Sequence, residues 1–160
     1  MKSLRQSESG FTITELMVVV VVLGILAAIA VPSFQSLTQS QQIKNASFEL
    51  FSSLSLARSE AIKRNNNVTL APLVAGDWGQ GWTITSATGA TGDIKSQSAL
   101  KGVVITPAAA GSVVYARTGR TAAASFRMDV SPVNTSIRRC IVIGLSGMPY
   151  TKPIPVATCP

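Results

Sequence analysis

The chain opens with a mainly polar stretch of ten residues and is then almost wholly apolar for 21 residues, from Phe11 to Val31. As an α-helix, 21 residues extend about 31 Å, which matches the hydrocarbon core of a bilayer. The polar start carries Lys2 and Arg5, and such basic residues remain on the cytoplasmic side of a membrane. The pattern predicts one membrane-spanning helix near the N-terminus.

Beyond Pro32 the apolar positions take the spacing of a helix with one buried face. They recur at Ile43, Ala46, Leu50, Leu54, Ala57 and Ala61, and Phe51 and Ile62 widen that face. Three asparagines at 65–67 end the pattern, because Asn tolerates the left-handed conformation that follows a helix. We predict one long helix over residues 12–64, membrane-bound first and amphipathic later.

From residue 68 onward, short apolar runs alternate with glycine- or proline-rich breaks, which is typical of strands and turns. The predicted strands are 68–73, 81–85, 102–106, 112–117, 124–128 and 138–144, with a weaker one at 154–158. This order predicts an α+β fold, in which a small antiparallel β-sheet head packs on the second half of the long helix.

Glu15 lies four residues into the apolar segment. A carboxylate inside a membrane helix costs on the order of 2.5–3.5 kcal/mol, so it usually has a partner. Cleavage between Gly10 and Phe11 would create an amine one helical turn away. At about 4 Å and an effective dielectric near 20, these two charges attract by roughly 4 kcal/mol before desolvation.

Two simpler interpretations of the N-terminus remain open. An uncleaved signal anchor explains the length and the basic flank, but it does not explain Glu15. A secretory signal is cut after its apolar region, and the only candidate there is a weak site around Ala28 and Ala30.

Residues 10–17, GFTITELM, behind a short basic leader, resemble the signal of type IV prepilins and type II secretion pseudopilins. In that family a membrane peptidase cuts after the glycine and methylates the new N-terminal Phe. The family's glutamate pairs with the N-terminus of an adjacent subunit. The resemblance implies cleavage between Gly10 and Phe11, N-methylation of Phe11 and an assembly role for Glu15.

The resemblance also implies four segments. They are a leader peptide at 1–10, a transmembrane and filament-core helix at 11–32, the amphipathic half of the helix at 33–65, and a β-rich head at 66–160. Gly24 weakens the helix and Pro32 should kink it. The family implies that this stretch loosens as a subunit enters the filament, although both residues are also tolerated in ordinary transmembrane helices.

The head resembles the GspH/FimT group of minor pilins and pseudopilins. The matching segments are ARSEAIKR at 57–64, DWGQGW at 77–82 and RRCIVI at 138–143, the last followed by a glycine turn. We interpret DWGQGW as a tight turn with buried or turn-stabilising tryptophans, and a sugar-binding aromatic pair is the alternative. Asp77 and Asp129 are interpreted as turn or strand-end residues.

The net charge is +7, and a basic surface can attract nucleic acid, anionic lipid or an acidic subunit, or simply be a solvated face. The C-terminal half contains Arg117, Arg120, Arg127, Arg138 and Arg139, which would form a DNA-binding patch if the strands brought them together. DNA-binding members of the resembling group carry a Gly-Arg-x-Arg turn, whereas residues 147–150 here are GMPY. We therefore expect nucleic-acid binding to be weak and salt-sensitive.

Cys140 and Cys159 allow one intramolecular pairing, which would suit an oxidising compartment, and two unpaired thiols are the alternative. The chain has no histidine, which removes the commonest general base and metal ligand. The sequence accordingly predicts no catalytic site, no metal and no cofactor, and a function in assembly and binding.

The prediction for function is a minor type IV pilin that initiates or caps a pilus serving adhesion and twitching motility. A type II secretion pseudopilin and a DNA-binding minor pilin for DNA uptake are the alternatives. The expected partners are the prepilin peptidase, other major and minor pilins and an inner-membrane assembly platform. The expected location is the inner membrane, with a periplasmic head, and then the pilus or pseudopilus.

Overall fold

The computed structural model describes residues 10–87, 93–108, 111–122, 124–130, 138–153 and 159. It contains one helix, α1 (Ile13–Arg64), followed by eight strands. The predicted helix over residues 12–64 is confirmed. Asn65 follows it with φ of 48°, and the Asn66 amide donates to the Ala61 carbonyl at 3.1 Å, so the asparagines do end the helix.

The strands form two four-stranded antiparallel sheets rather than the single small sheet that was expected. The first sheet has the order β3-β2-β1-β5 and the second has the order β4-β6-β7-β8. The strands are β1 (Val68–Val74), β2 (Asp77–Ser86), β3 (Lys95–Gln97), β4 (Val103–Pro107), β5 (Val113–Tyr115), β6 (Ala124–Val130), β7 (Arg138–Ile143) and β8 (Pro149–Pro153). The α+β, pilin-like class is confirmed, with two sheets instead of one.

Sequence reasoning missed β3 and β8, and both are edge strands. The three residues of β3 are polar and carry no alternation of apolar positions. Prolines begin and end β8, a pattern that indicates a break, although an edge strand tolerates proline on its unpaired side. The weaker strand predicted at 154–158 lies outside the described residues, as does most of the leader.

The chain divides into two compact units between Leu37 and Thr38. In the first unit, the apolar side chains of α1 are exposed: Phe11 is 85% exposed, and an apolar stretch long enough to cross a membrane has no buried residue. In the second unit, the rest of α1 packs on both sheets. All six residues predicted for its buried face are buried, whereas Ile62 is 49% exposed.

Two tryptophans of β2 lie at the centre of the core of the second unit. Trp78 and Trp82 are 0% and 1% exposed. The Trp78 ring meets Phe126 of β6 edge-on at 4.8 Å and lies 6.4 Å from Trp82, so it joins the two sheets. The prediction of burial is confirmed, and a sugar-binding pair is excluded. The predicted turn at 77–82 is wrong, because these residues lie within β2 and the turn precedes them at 75–76.

Candidate assembly site

Glu15 and Thr12 form a capping box at the start of α1. The Thr12 amide and hydroxyl donate to Oε2 of Glu15 at 2.9 and 2.8 Å, and the Glu15 amide donates to the Thr12 hydroxyl at 3.3 Å. Such reciprocal bonds satisfy amides that have no partner within the helix. Thr12 was not among the predicted site residues, although the spacing Thr-x-x-Glu is a capping signal that the sequence carries. Glu15 therefore already has an intrachain role in a single subunit.

Gly10 and Phe11 precede the helix and are both exposed. A Cβ built on Gly10 would meet nothing within 4 Å. Packing within the described subunit therefore does not require glycine at this position. This freedom contrasts with Gly147, whose φ is 78° and whose Cβ would collide with the carbonyl of Gly119.

Gly24 and Pro32 lie inside α1, and the helix continues through both. A Cβ on Gly24 would also meet nothing within 4 Å. Proline at a helix interior removes one backbone hydrogen bond. The kink and its loosening during assembly stay predictions.

The disulfide joins Cys140 of β7 to Cys159, with their Cα atoms 5.9 Å apart. Cys140 is fully buried. It lies opposite Arg127 of β6 and Lys152 of β8, in the middle of the second sheet. The bond therefore ties the last described residue of the chain to a central strand.

Removing the disulfide should weaken the head without unfolding the membrane helix. The bond spans 19 residues of sequence, and closing a loop of that size contributes about 3 kcal/mol by chain entropy. We expect the double variant Cys140→Ser, Cys159→Ser to lose that much stability in urea titrations of the full chain in detergent, followed by circular dichroism. A wild-type midpoint that reductant does not move would contradict this role.

Asp129 is buried, at 2% exposure, between two of the five predicted arginines. Arg127 donates from Nε to Oδ2 at 2.8 Å, and Nε of Arg138 lies 2.7 Å from Oδ1 as an ion pair without hydrogen-bond geometry. Asp129 does lie near the end of β6, as predicted, but it neutralises two cations there. Asp77 is the first residue of β2, and its Oδ1 accepts the Gly79 amide at 2.9 Å.

The other three arginines lie elsewhere. Arg139 is opposite Met128, a core residue, and so lies on the α1 side of its sheet. Arg117 and Arg120 are exposed in the turn after β5, where Arg58 of α1 donates to the Gly119 carbonyl at 3.1 Å. The structure therefore does not gather the five arginines on one surface. The signal for the ion pairs was the position of Asp129: Arg127 lies two residues before it on the same face of β6, and Arg138 lies opposite it on β7.

Tyr115 ends β5 and is fully buried near that turn. Burial raises the pKa of its phenol to about 12, against the opposing effect of the Arg58 charge. The side chain is thus neutral at physiological pH and belongs to the core rather than to a titrating site.

Models of known protein families match both the N-terminal segment and the head of the chain. The family model "Type II transport protein GspH" matches residues 46–147, more than half of the chain. The model "Prokaryotic N-terminal methylation motif" matches residues 5–31. The second match covers the predicted cleavage and methylation positions and the glutamate.

Individual relatives include a fimbrial protein of Pseudomonas aeruginosa, 41% identical over 63 residues, which are 39% of this chain and 40% of that protein. The chain thus spans about 40% of the length of the first curated relatives that it matches. The crystal structure of the type IV minor pilin FimU of Pseudomonas aeruginosa matches with a TM-score of 0.64 and 21% identity, over 73% of this chain and 92% of that one.

The minor pseudopilin EpsH of the type 2 secretion system of Vibrio cholerae matches with a TM-score of 0.57 and 12% identity, over 70% of this chain and 97% of that one. At these identities the two structures show the fold alone. The two family models match the amino-acid sequence itself. The chain therefore belongs to the family of type II transport protein GspH and is a type IV pilin or pseudopilin by its methylation motif and fold.

Proposed function

We propose that the chain is a minor type IV pilin, cut between Gly10 and Phe11 and assembled through its N-terminal helix to initiate or cap a pilus. The observation that carries the proposal is the exposed carboxylate of Glu15 at the start of an unburied apolar helix. That arrangement has no use in an isolated soluble head. It suits a helix that leaves the membrane to pack among other helices.

The proposed partners are a prepilin peptidase that methylates Phe11, other pilins and an inner-membrane assembly platform. The methylation motif and the apolar helix indicate membrane anchoring and incorporation into a pilus-like filament. Support for a minor rather than a major subunit comes from the head, which matches the GspH model and has the fold of FimU.

A type II secretion pseudopilin is the second candidate, because EpsH shares the fold. The two candidates differ in the machine that assembles the chain. Deleting either the pilus or the secretion assembly genes of the producing bacterium separates them, since only one deletion should remove the chain from the sheared filament fraction. DNA uptake is not proposed, because the predicted arginines lie in separate places and two are bound to Asp129.

The charge of Glu15 should matter for assembly independently of its capping bonds. Glutamine can still cap the helix but carries no charge, and Thr12→Val removes the cap while the charge stays. We expect Glu15→Gln and Glu15→Val to be processed normally but depleted at least tenfold from the filament fraction, measured by quantitative mass spectrometry. Thr12→Val is the matched control, because it should lose only about 1 kcal/mol of helix stability.

Normal incorporation of Glu15→Gln into the filament would contradict the proposed charge pairing. An intact Met1 in the assembled wild-type protein would overturn processing and, with it, the function. These readouts come from the same peptide maps, because the N-terminal peptide reports cleavage, N-methylation and residue 15 together.

A further inference from the structure

A cleft of about 450 Å³ lies in the second unit, between α1 and one end of the second sheet. We call it the helix–sheet cleft. From α1 it is lined by Lys44, Asn45, Ser47, Phe48 and Phe51, and from β7 and β8 by Arg139 and Thr151. The helix residues have the 3-4 spacing that places side chains on one stripe. The cleft is therefore built by regular elements and not by loops.

The aromatic part of the cleft is only partly covered. Phe48 is 68% exposed, while Phe51, one turn further on, packs against the core. A large exposed aromatic side chain beside a concave surface is typical of an interaction site, because a partner can remove it from water.

Ser47 lies beneath the same surface and carries an unsatisfied polar group. It is 3% exposed, and its hydroxyl has no hydrogen-bond partner in the part of the chain that the structure describes. Leaving a buried hydroxyl unpaired costs free energy. The protein encloses this hydroxyl, so the polar groups open to a ligand are those of the other lining residues.

The charge at the cleft has one sign. Lys44 and Arg139 line it, no acidic residue does, and neither cation is paired with an acid among the described residues. The nearby acids have other partners: Glu49 pairs with Lys95 at 3.6 Å, and Asp129 pairs with Arg127 and Arg138. The cleft thus offers two cations, the Asn45 amide, the Thr151 hydroxyl and an aromatic surface.

We propose that the helix–sheet cleft docks an acidic segment of a different pilin subunit, in which a carboxylate adjoins an apolar side chain. The carboxylate would lie between Lys44 and Arg139, and the apolar group would cover Phe48. A second copy of this chain fits poorly. Residues 38–160 carry 12 Lys and Arg against five Asp and Glu, so all of the net +7 lies in this unit and two copies repel. The inference rests on the proposed function, because it requires assembly beside other subunits.

Photo-crosslinking from position 48 tests the location of the contact. The full chain, with p-benzoylphenylalanine in place of Phe48, is produced in its own bacterium with the other pilins present. Irradiation should link it to one different subunit, through a peptide that contains Asp or Glu. The control carries the same group at Leu145, which is 62% exposed in the turn at the opposite end of β7 and should not yield that product.

Charge reversal tests the chemistry. We expect Lys44→Glu with Arg139→Glu to reduce co-purification of the linked subunit at least tenfold. The matched control is Lys101→Glu with Arg117→Glu, which makes the same change in net charge at exposed positions outside the cleft. Lys44→Gln with Arg139→Gln should give an intermediate loss and guards against misfolding of the reversed variant. If the cleft and control variants lose co-purification equally, the loss comes from the net charge of the chain, and the proposed site is wrong.

The outcomes separate the cleft from the proposed function. If the wild type enters filaments but position 48 links to nothing, to a second copy, to lipid or to nucleic acid, only the cleft proposal is wrong. If the wild type never enters a filament of either kind, the proposed function fails and the cleft proposal fails with it.

Discussion

Gly10→Val is expected to leave the chain as an uncut precursor that is held in the membrane and absent from filaments. The family's peptidase cuts after glycine, and a branched side chain at Gly10 would obstruct the approach of a catalytic group to the peptide bond. The apolar helix then remains joined to its basic leader. Because valine at position 10 should block cleavage completely, we expect no detectable mature N-terminus in membrane extracts analysed by mass spectrometry.

The structure makes this substitution a clean test. A Cβ at position 10 meets no atom within 4 Å, so valine does not disturb the subunit. The head of the variant should unfold at the wild-type urea concentration. Gly10→Ala is the graded control, because its single methyl group is the smallest possible addition, and it should be cut more slowly but not blocked. A Gly10→Val chain with a normal N-methylated Phe11 would contradict the proposed cleavage position.

The long helix could be predicted from sequence because two strong signals agree along it. The 21-residue apolar run has the length of a membrane-spanning helix. The apolar positions Leu50, Leu54, Ala57 and Ala61 have the 3-4 spacing of a helix with one buried face. Both depend on residues close together in the chain. The stop at Asn65 is equally local, since one residue with φ of 48° is enough to end the helix.

The division into two sheets could not be predicted in the same way. Strand order depends on which distant segments pair, and β1 bonds to β5 while β4 bonds to β6. The edge strands β3 and β8 are held mainly by their neighbours, because their own sequences favour turns. Gly81 shows the dependence well: its φ is 98°, and a side chain there would collide with the carbonyl of Gln97, a residue of β3.

The candidate site shows a similar division between local and distant features. Gly10, Phe11 and Glu15 lie within one short segment of the sequence, so one motif indicates all three. The helix–sheet cleft joins Phe48 to Arg139, which are 91 positions apart in the chain, and no local pattern connects them. The ion pair of Asp129 with Arg138 likewise required the register between β6 and β7.

Trp78→Ala should be the most destabilising single substitution in the head that we predict. The side chain is fully buried and contacts Phe126 of the second sheet while its own strand belongs to the first, so its removal leaves a cavity between the sheets. Truncating a buried tryptophan costs about 3–5 kcal/mol, and a small domain has about 5–15 kcal/mol in total. The indole N–H of Trp78 has no hydrogen-bond partner among the described residues, so the expected loss of stability comes from packing alone.

Chemical denaturation of the full chain in detergent, followed by circular dichroism, measures this loss. Tyr150→Ala is the matched control, because Tyr150 is an aromatic residue at 44% exposure and should cost about 1 kcal/mol or less through its contact with Lys152. Trp78→Phe should recover part of the stability, since phenylalanine keeps a ring against Phe126. A loss below about 1 kcal/mol for Trp78→Ala would mean that the two sheets do not share one core. Unlike Gly10→Val, the Trp78→Ala chain should still be cut, because the proposed cleavage site joins residues 10 and 11, which lie in the other unit.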